Sequence, residues 1–259
     1  MSDSISKAAK SIVESMKHMY STPHTIVPID EKDFGHLALS EYKFFRDTME
    51  AEGFKYLADL EILEVSNSPT SVIARTMIRS LISNDGAIAT NYYQVMPNIF
   101  RRLKLLLRGI INLRWIAAPK NFMHAMKTRH CIDFETEFSD DTFLITSNAE
   151  TAGLISGPPT IENHFFPYGT PYTVLLKAHR ARLQVILHNN QGLSPKAHQS
   201  LPDILQMQKR QNAQKMAHRA TMQWVTQSEL QGLSPGNTEL ANTVFDEVQK
   251  LLNEDEMRA

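Results

Sequence analysis

The chain has 259 residues, with 42% hydrophobic and 21% charged side chains and a net charge of −1. That composition belongs to a packed globule rather than a disordered chain. The near-zero charge leaves any attraction to nucleic acid or an anionic surface to local charge segregation. One cysteine, Cys131, excludes an internal disulfide framework and a multi-thiolate metal site. No leader-like core and no run of 18 apolar residues is present, so the expected setting is cytoplasmic.

In chain order, residues 4–19 place Ile5, Ala8, Ala9, Ile12, Val13 and Met16 at helical spacing. A second helix is expected from about Ser40 to the stop at Gly53. Residues 54–65 and 72–82 then read as strands. Asn84-Asp85-Gly86 marks a hairpin turn into a third strand over 87–95. Cys131 to Phe138 alternates Ile132, Phe134, Thr136 and Phe138 with Asp133, Glu135 and Glu137, the pattern of a strand with one face in water. Those carboxylates are expected to face solvent or to pair with Arg75 and Arg79 across the sheet. A returning strand follows over 142–147. The fold class expected is α+β: a mainly antiparallel sheet of about five strands flanked by helices, with a helical C-terminal extension. The expected division is an α+β domain over 1–192 and an extension over 193–259, which can equally belong to the same domain.

Residues 148–172 read as a long loop rich in Gly and Pro, followed by a helix over 173–189. A polar helix is expected from Asp203 to about Thr226. Its apolar stripe is too thin for the centre of a core, so it either projects or packs in a dimer. A last helix ends near Asn253.

Charge is sorted into blocks. Residues 86–132 hold eight Lys or Arg and no acid, whereas residues 131–176 hold seven acids and no Lys or Arg. Adjacent blocks can neutralise each other within the fold, or a basic block can face outward. Within 99–118, Arg101, Arg102, Lys104, Arg108 and Arg114 accompany a broad Leu/Ile face. The commoner fate of such a helix is to pack across a sheet. The alternative is an amphipathic contact with an anionic membrane surface.

Motifs for phosphate loops, dinucleotide binding, zinc proteases, serine hydrolases and calcium loops are absent from the sequence, which calls for no metal and no cofactor. One constellation could bind an anionic small molecule: His164 and Tyr168 in the loop, with His179, Arg180 and Arg182 on the next helix. Its plainer reading is a loop anchored by aromatic residues. Three functions therefore compete. The first is a non-catalytic binding or interaction protein, peripheral to a membrane through 99–118 or contacting a protein partner or a second copy. The second is a small-ligand binder or enzyme using the 148–172 loop. Nucleic-acid binding through the basic block over 86–132 and a second over 177–219, which holds eight Lys or Arg against Asp203, is the third and the least favoured.

Overall fold

The computed structural model describes residues 2–20, 23–64, 74–96, 127–150, 153, 155–233 and 236–256. The basic segment 99–118, with Arg101, Arg102, Lys104, Arg108 and Arg114, lies outside the described residues.

Helix α1 (Ser2–Tyr20) comes first and the short strand β1 (Ile26–Pro28) follows. Helix α2 (Leu39–Ala51) then leads into strands β2 (Phe54–Ile62), β3 (Ile78–Ser83) and β4 (Ala89–Val95). Strands β5 (Arg129–Glu137), β6 (Phe143–Ser147) and β7 (Ile161–Phe165) complete the sheet. Four helices end the described chain: α3 (Tyr172–Asn189), α4 (Leu201–Thr221), α5 (Gln227–Leu233) and α6 (Thr238–Glu256).

The expectation of α+β holds, but the sheet has seven strands rather than five, and it is mixed. The strands lie side by side in chain order, and the final pair, β6 and β7, runs parallel. Two strands escaped the sequence reading for different reasons. β1 is three residues long and ends in Pro28, too short to display a period. β7 sits inside the Gly/Pro-rich stretch taken for loop, although Ile161, Asn163 and Phe165 alternate with Glu162 and His164. The β3–β4 turn falls on Asn84-Asp85-Gly86 as expected. Gly86 has φ +77°, and a Cβ there would stand 2.5 Å from the His198 carbonyl oxygen. Only glycine meets both demands.

Register fixes two unlike faces. On the first, Tyr92, Ile132, Phe134, Leu81 and Met77 meet Tyr42, Phe45 and Met49 of α2 and Leu175 and Leu176 of α3. Burying each such side chain stabilises the fold by about 1.5–3 kcal/mol. The second face carries Asn91, Tyr93, Asp133, Glu135, Glu137 and Ser147, which the strand pairing sets side by side. At its apolar end Ile82, Ala89, Phe143, Ile145 and Ile161 take Ile204 and Met207 of α4.

Helix α4 thus roofs the second face. Its first turn is secured by a capping box between Ser200 and Asp203, and Pro202 adds the fixed φ suited to a helix start. Left-handed backbone at Gln223 (φ 51°) and Trp224 (φ 71°) follows its end, short of the expected Thr226. A third cluster joins Ala9 and Val13 of α1 to Leu230 of α5 and to Ala241, Val244, Val248 and Leu252 of α6.

Candidate functional site

The five residues singled out around the 148–172 loop do not converge. His179 is fully buried between α3 and the sheet, where its ring nitrogens lie 2.9 Å from Thr136 Oγ1 and 3.0 Å from Thr146 Oγ1. Burial holds its pKa down at about 3, so it is a neutral core histidine. Arg180 points the other way and donates to Glu52 at 3.3 Å. Only Arg182 and His164 meet, with Arg182 Nη1 2.9 Å from His164 Nδ1, and Arg182 also pairs with Glu162. The Tyr168 ring sits under the Arg129 guanidinium, 4.3 Å from its centroid.

The chemistry gathers instead beneath α4. The carboxylates expected in water are inside: Glu135 is 6% exposed and Glu137 is 0% exposed. Nor do they pair with Arg75 and Arg79, which bind Glu61 and Asp59. The alternation along β5 was read correctly, but its polar side is roofed by a helix whose own polarity matches it.

Glu137 is closed off. Arg210 Nε and Nη2 donate to it at 2.6 and 2.7 Å, and Lys196 Nζ donates at 2.9 Å. Burial pushes its carboxyl up, but the hydrogen bonds from Arg210 and Lys196 outweigh burial and hold the pKa below the usual value. Two residues earlier the balance reverses. Burial, with the neighbouring Asp133 charge second, pushes Glu135 up to about 7. Burial likewise raises Asp133, against the opposing pull of Ser147, Lys215 and Tyr93. Glu135 accepts a hydrogen bond from Gln208 Nε2.

Lys215 enters this group from α4. Its Nζ donates to Gln211 Oε1 at 2.6 Å, and among the described residues no carboxylate comes within ion-pair distance of it. Burial lowers its pKa despite the attraction of Glu135 and Asp133. Gln211 is 1% exposed; its Nε2 forms no hydrogen bond of good geometry among the described residues, yet it stands close enough to Glu135 to pull that carboxyl's pKa down against burial. Such a buried donor without a well-formed hydrogen bond is uncommon in a native interior. Tyr93, whose hydroxyl lies beside Asp133, has its pKa driven well up by burial.

Two cavities meet at this group. The larger, about 370 Å³, has Ile26, Leu60, Ile62, Ile78, Val95 and Leu205 among its walls. The smaller, about 210 Å³, is bounded by residues 155–158 of the loop together with Asn163, Phe165 and His218. Tyr93, Asp133, Glu135 and Lys215 line both. The larger cavity shares His24, Ile26, Leu205 and Asn212 with a groove on the edge of α4, so the two adjoin.

The smaller cavity is held in shape by a buried ion pair. Arg219 Nη2 and Glu229 Oε1 are 2.7 Å apart, Arg219 also donates to the Ser156 carbonyl, and Ser156 N donates to Glu229 at 2.7 Å. The 148–172 loop therefore does border a cavity, through Ser156, Gly157 and Pro158 rather than through His164 or Tyr168. Gly157 is tight there, because a Cβ would stand 2.8 Å from Asn163 Nδ2.

Sequence reasoning missed Tyr93, Gln211 and Lys215, and it turned Asp133 and Glu135 to the wrong surroundings. The available signal was a match of periods. Gln208, Gln211 and Lys215 recur at i, i+3 and i+7 along one side of a helix, opposite carboxylates at every second residue of a strand. Among the described residues no three His, Cys, Asp or Glu side chains gather to hold a metal, and no helix is long and apolar enough to cross a membrane. The chain matches no protein-family model, no curated protein and no solved structure at a significant level.

Proposed function

We propose that this chain binds a small, largely apolar molecule in the interior between the sheet and α4. The observation that carries the reading is the shared wall of the two cavities. Four titratable side chains, Tyr93, Asp133, Glu135 and Lys215, line both spaces, and the amine among them has no ion-pair partner among the described residues. A purely structural polar layer closes its charges, as Glu137 does with Arg210 and Lys196. Here an amine and an amide donor are left beside a space whose walls include Ile and Leu. Apolar walls with a few converging polar groups are the usual make-up of a ligand site, and a volume near 370 Å³ suits a small molecule. A surface role for the basic segment 99–118 is a separate proposal about residues outside those described, and it is compatible with interior binding.

Thermal unfolding with 1-octanol, octanoate and octylamine tests the reading. At least one of the three raises the melting temperature of the wild type by about 2 °C or more. The rise disappears in Leu205→Trp, because that side chain stands where the groove and the larger cavity meet. Equal behaviour of wild type and variant with all three compounds removes the proposal.

A further inference from the structure

Resting on that reading, we infer that Lys215 is a nucleophilic amine that forms an imine with an aldehyde or ketone held in the interior cavity, with Glu135 as its proton partner.

Consider which ligand head group the four side chains can serve together. A carboxylate would meet Asp133 and Glu135, and an ammonium would meet Lys215. A neutral carbonyl conflicts with none of them. Its oxygen can accept from Gln211 Nε2, which makes no well-formed hydrogen bond among the described residues, or from the Tyr93 hydroxyl in exchange for its contact with Asp133. Its carbon can face the amine, while its alkyl body lies along Ile26, Leu60, Ile62 and Ile78.

Lys215 has the surroundings that such chemistry needs. A lysine is nucleophilic only as the free amine, and burial away from carboxylate pairing favours that form. Its Nζ donates to the neutral Gln211 Oε1 and makes no salt bridge among the described residues, so its lone pair is not tied to a carboxylate there. Burial acts in the same direction on its pKa. Beside it, Glu135 changes protonation near neutral pH, as a group that must both give and take a proton requires.

The step balances within these groups. The Nζ lone pair adds to the carbonyl carbon, and the oxygen takes a proton from the Glu135 carboxyl. The nitrogen gives one of its protons back to the Glu135 carboxylate, leaving a neutral carbinolamine. Glu135 then protonates the hydroxyl, which leaves as water while the C=N bond forms. The second nitrogen proton returns to Glu135. In balance two protons leave the nitrogen, two join the departing oxygen and Glu135 ends protonated as it began, and no oxidant, reductant or metal takes part.

The test is reductive trapping of the wild-type chain with octanal and cyanoborohydride at pH 7, followed by peptide mass spectrometry. Lys215 gains one octyl group about 10-fold faster than the exposed Lys10 and Lys43. Glu135→Gln, which keeps shape and hydrogen-bonding capacity, slows trapping at Lys215 about 10- to 100-fold. Trapping at Lys215 no faster than at Lys10, with 1-octanol still raising the melting temperature of the wild type, overturns the imine while leaving interior binding intact. Absence of both octanol binding and selective trapping overturns the two together.

Discussion

The two faces of the sheet differ less in polarity than in how their charges are paired. The first face also carries charge: Arg79 is 4% exposed and donates to both oxygens of Asp59, at 2.8 and 2.7 Å. There a guanidinium and a carboxylate match donor for acceptor, and His179 rests between two threonines. The second face puts two carboxylates, an amine and an amide around a space without closing them. A buried group whose partners are complete supports the fold, whereas one left incomplete weakens it and is available to something else.

The largest expected effect probes the first face. Phe134→Ala removes a fully buried ring from the core, and the expected loss is about 3–5 kcal/mol, read from urea unfolding midpoints. Its immediate neighbour on the chain, pointing the other way, should behave oppositely. Glu135 has a raised native pKa, caused first by burial and then by Asp133. The native state therefore holds its proton more tightly than the unfolded chain, whose glutamates titrate near about 4.3. The stability this proton supplies is complete below about pH 4.3 and is lost as pH rises through about 7. Glu135→Gln escapes that loss. It matches the wild type at pH 4 and exceeds it by about 2 kcal/mol at pH 8, measured by unfolding at each pH. A variant less stable than the wild type at pH 8 would show that both faces are structural.

The smallest effect concerns the roof. Ser200→Ala removes half of the capping box of α4 and costs about 1 kcal/mol. Hydrogen exchange in the first turn of α4 should rise, while α2 and α3 on the other face stay unchanged. A uniform rise would mean that the two faces open together.

How much of this was legible in the residues follows the range of the forces involved. Helices over 2–20, 39–51 and 172–189 announce themselves by local periodicity, and the β3–β4 turn by local backbone demand at Gly86. The alternation of β5 was equally plain. What lay on each side of it was not, because the covering group is 73 residues away: Gln208 reaches Glu135, and Arg210 reaches Glu137. A polar helix over an acidic strand face looks, residue by residue, like two solvated surfaces. The histidines misled for a related reason. Residue type suggested chemistry at His179, while two threonines on separate strands make it a core residue.

Strand β5 ends two residues beyond Glu135, at Glu137, where two cations converge, Arg210 from α4 and Lys196 from the preceding segment, beside His198, whose Nε2 is 3.1 Å away and whose pKa burial holds down. That junction rivets the strand to its roof about 6–7 Å along the chain from the cavity group. Mechanical attachment and chemical variability thus occupy different residues of one strand. Substitution of Asp133 or Glu135 therefore leaves the attachment of the helix at Glu137 in place.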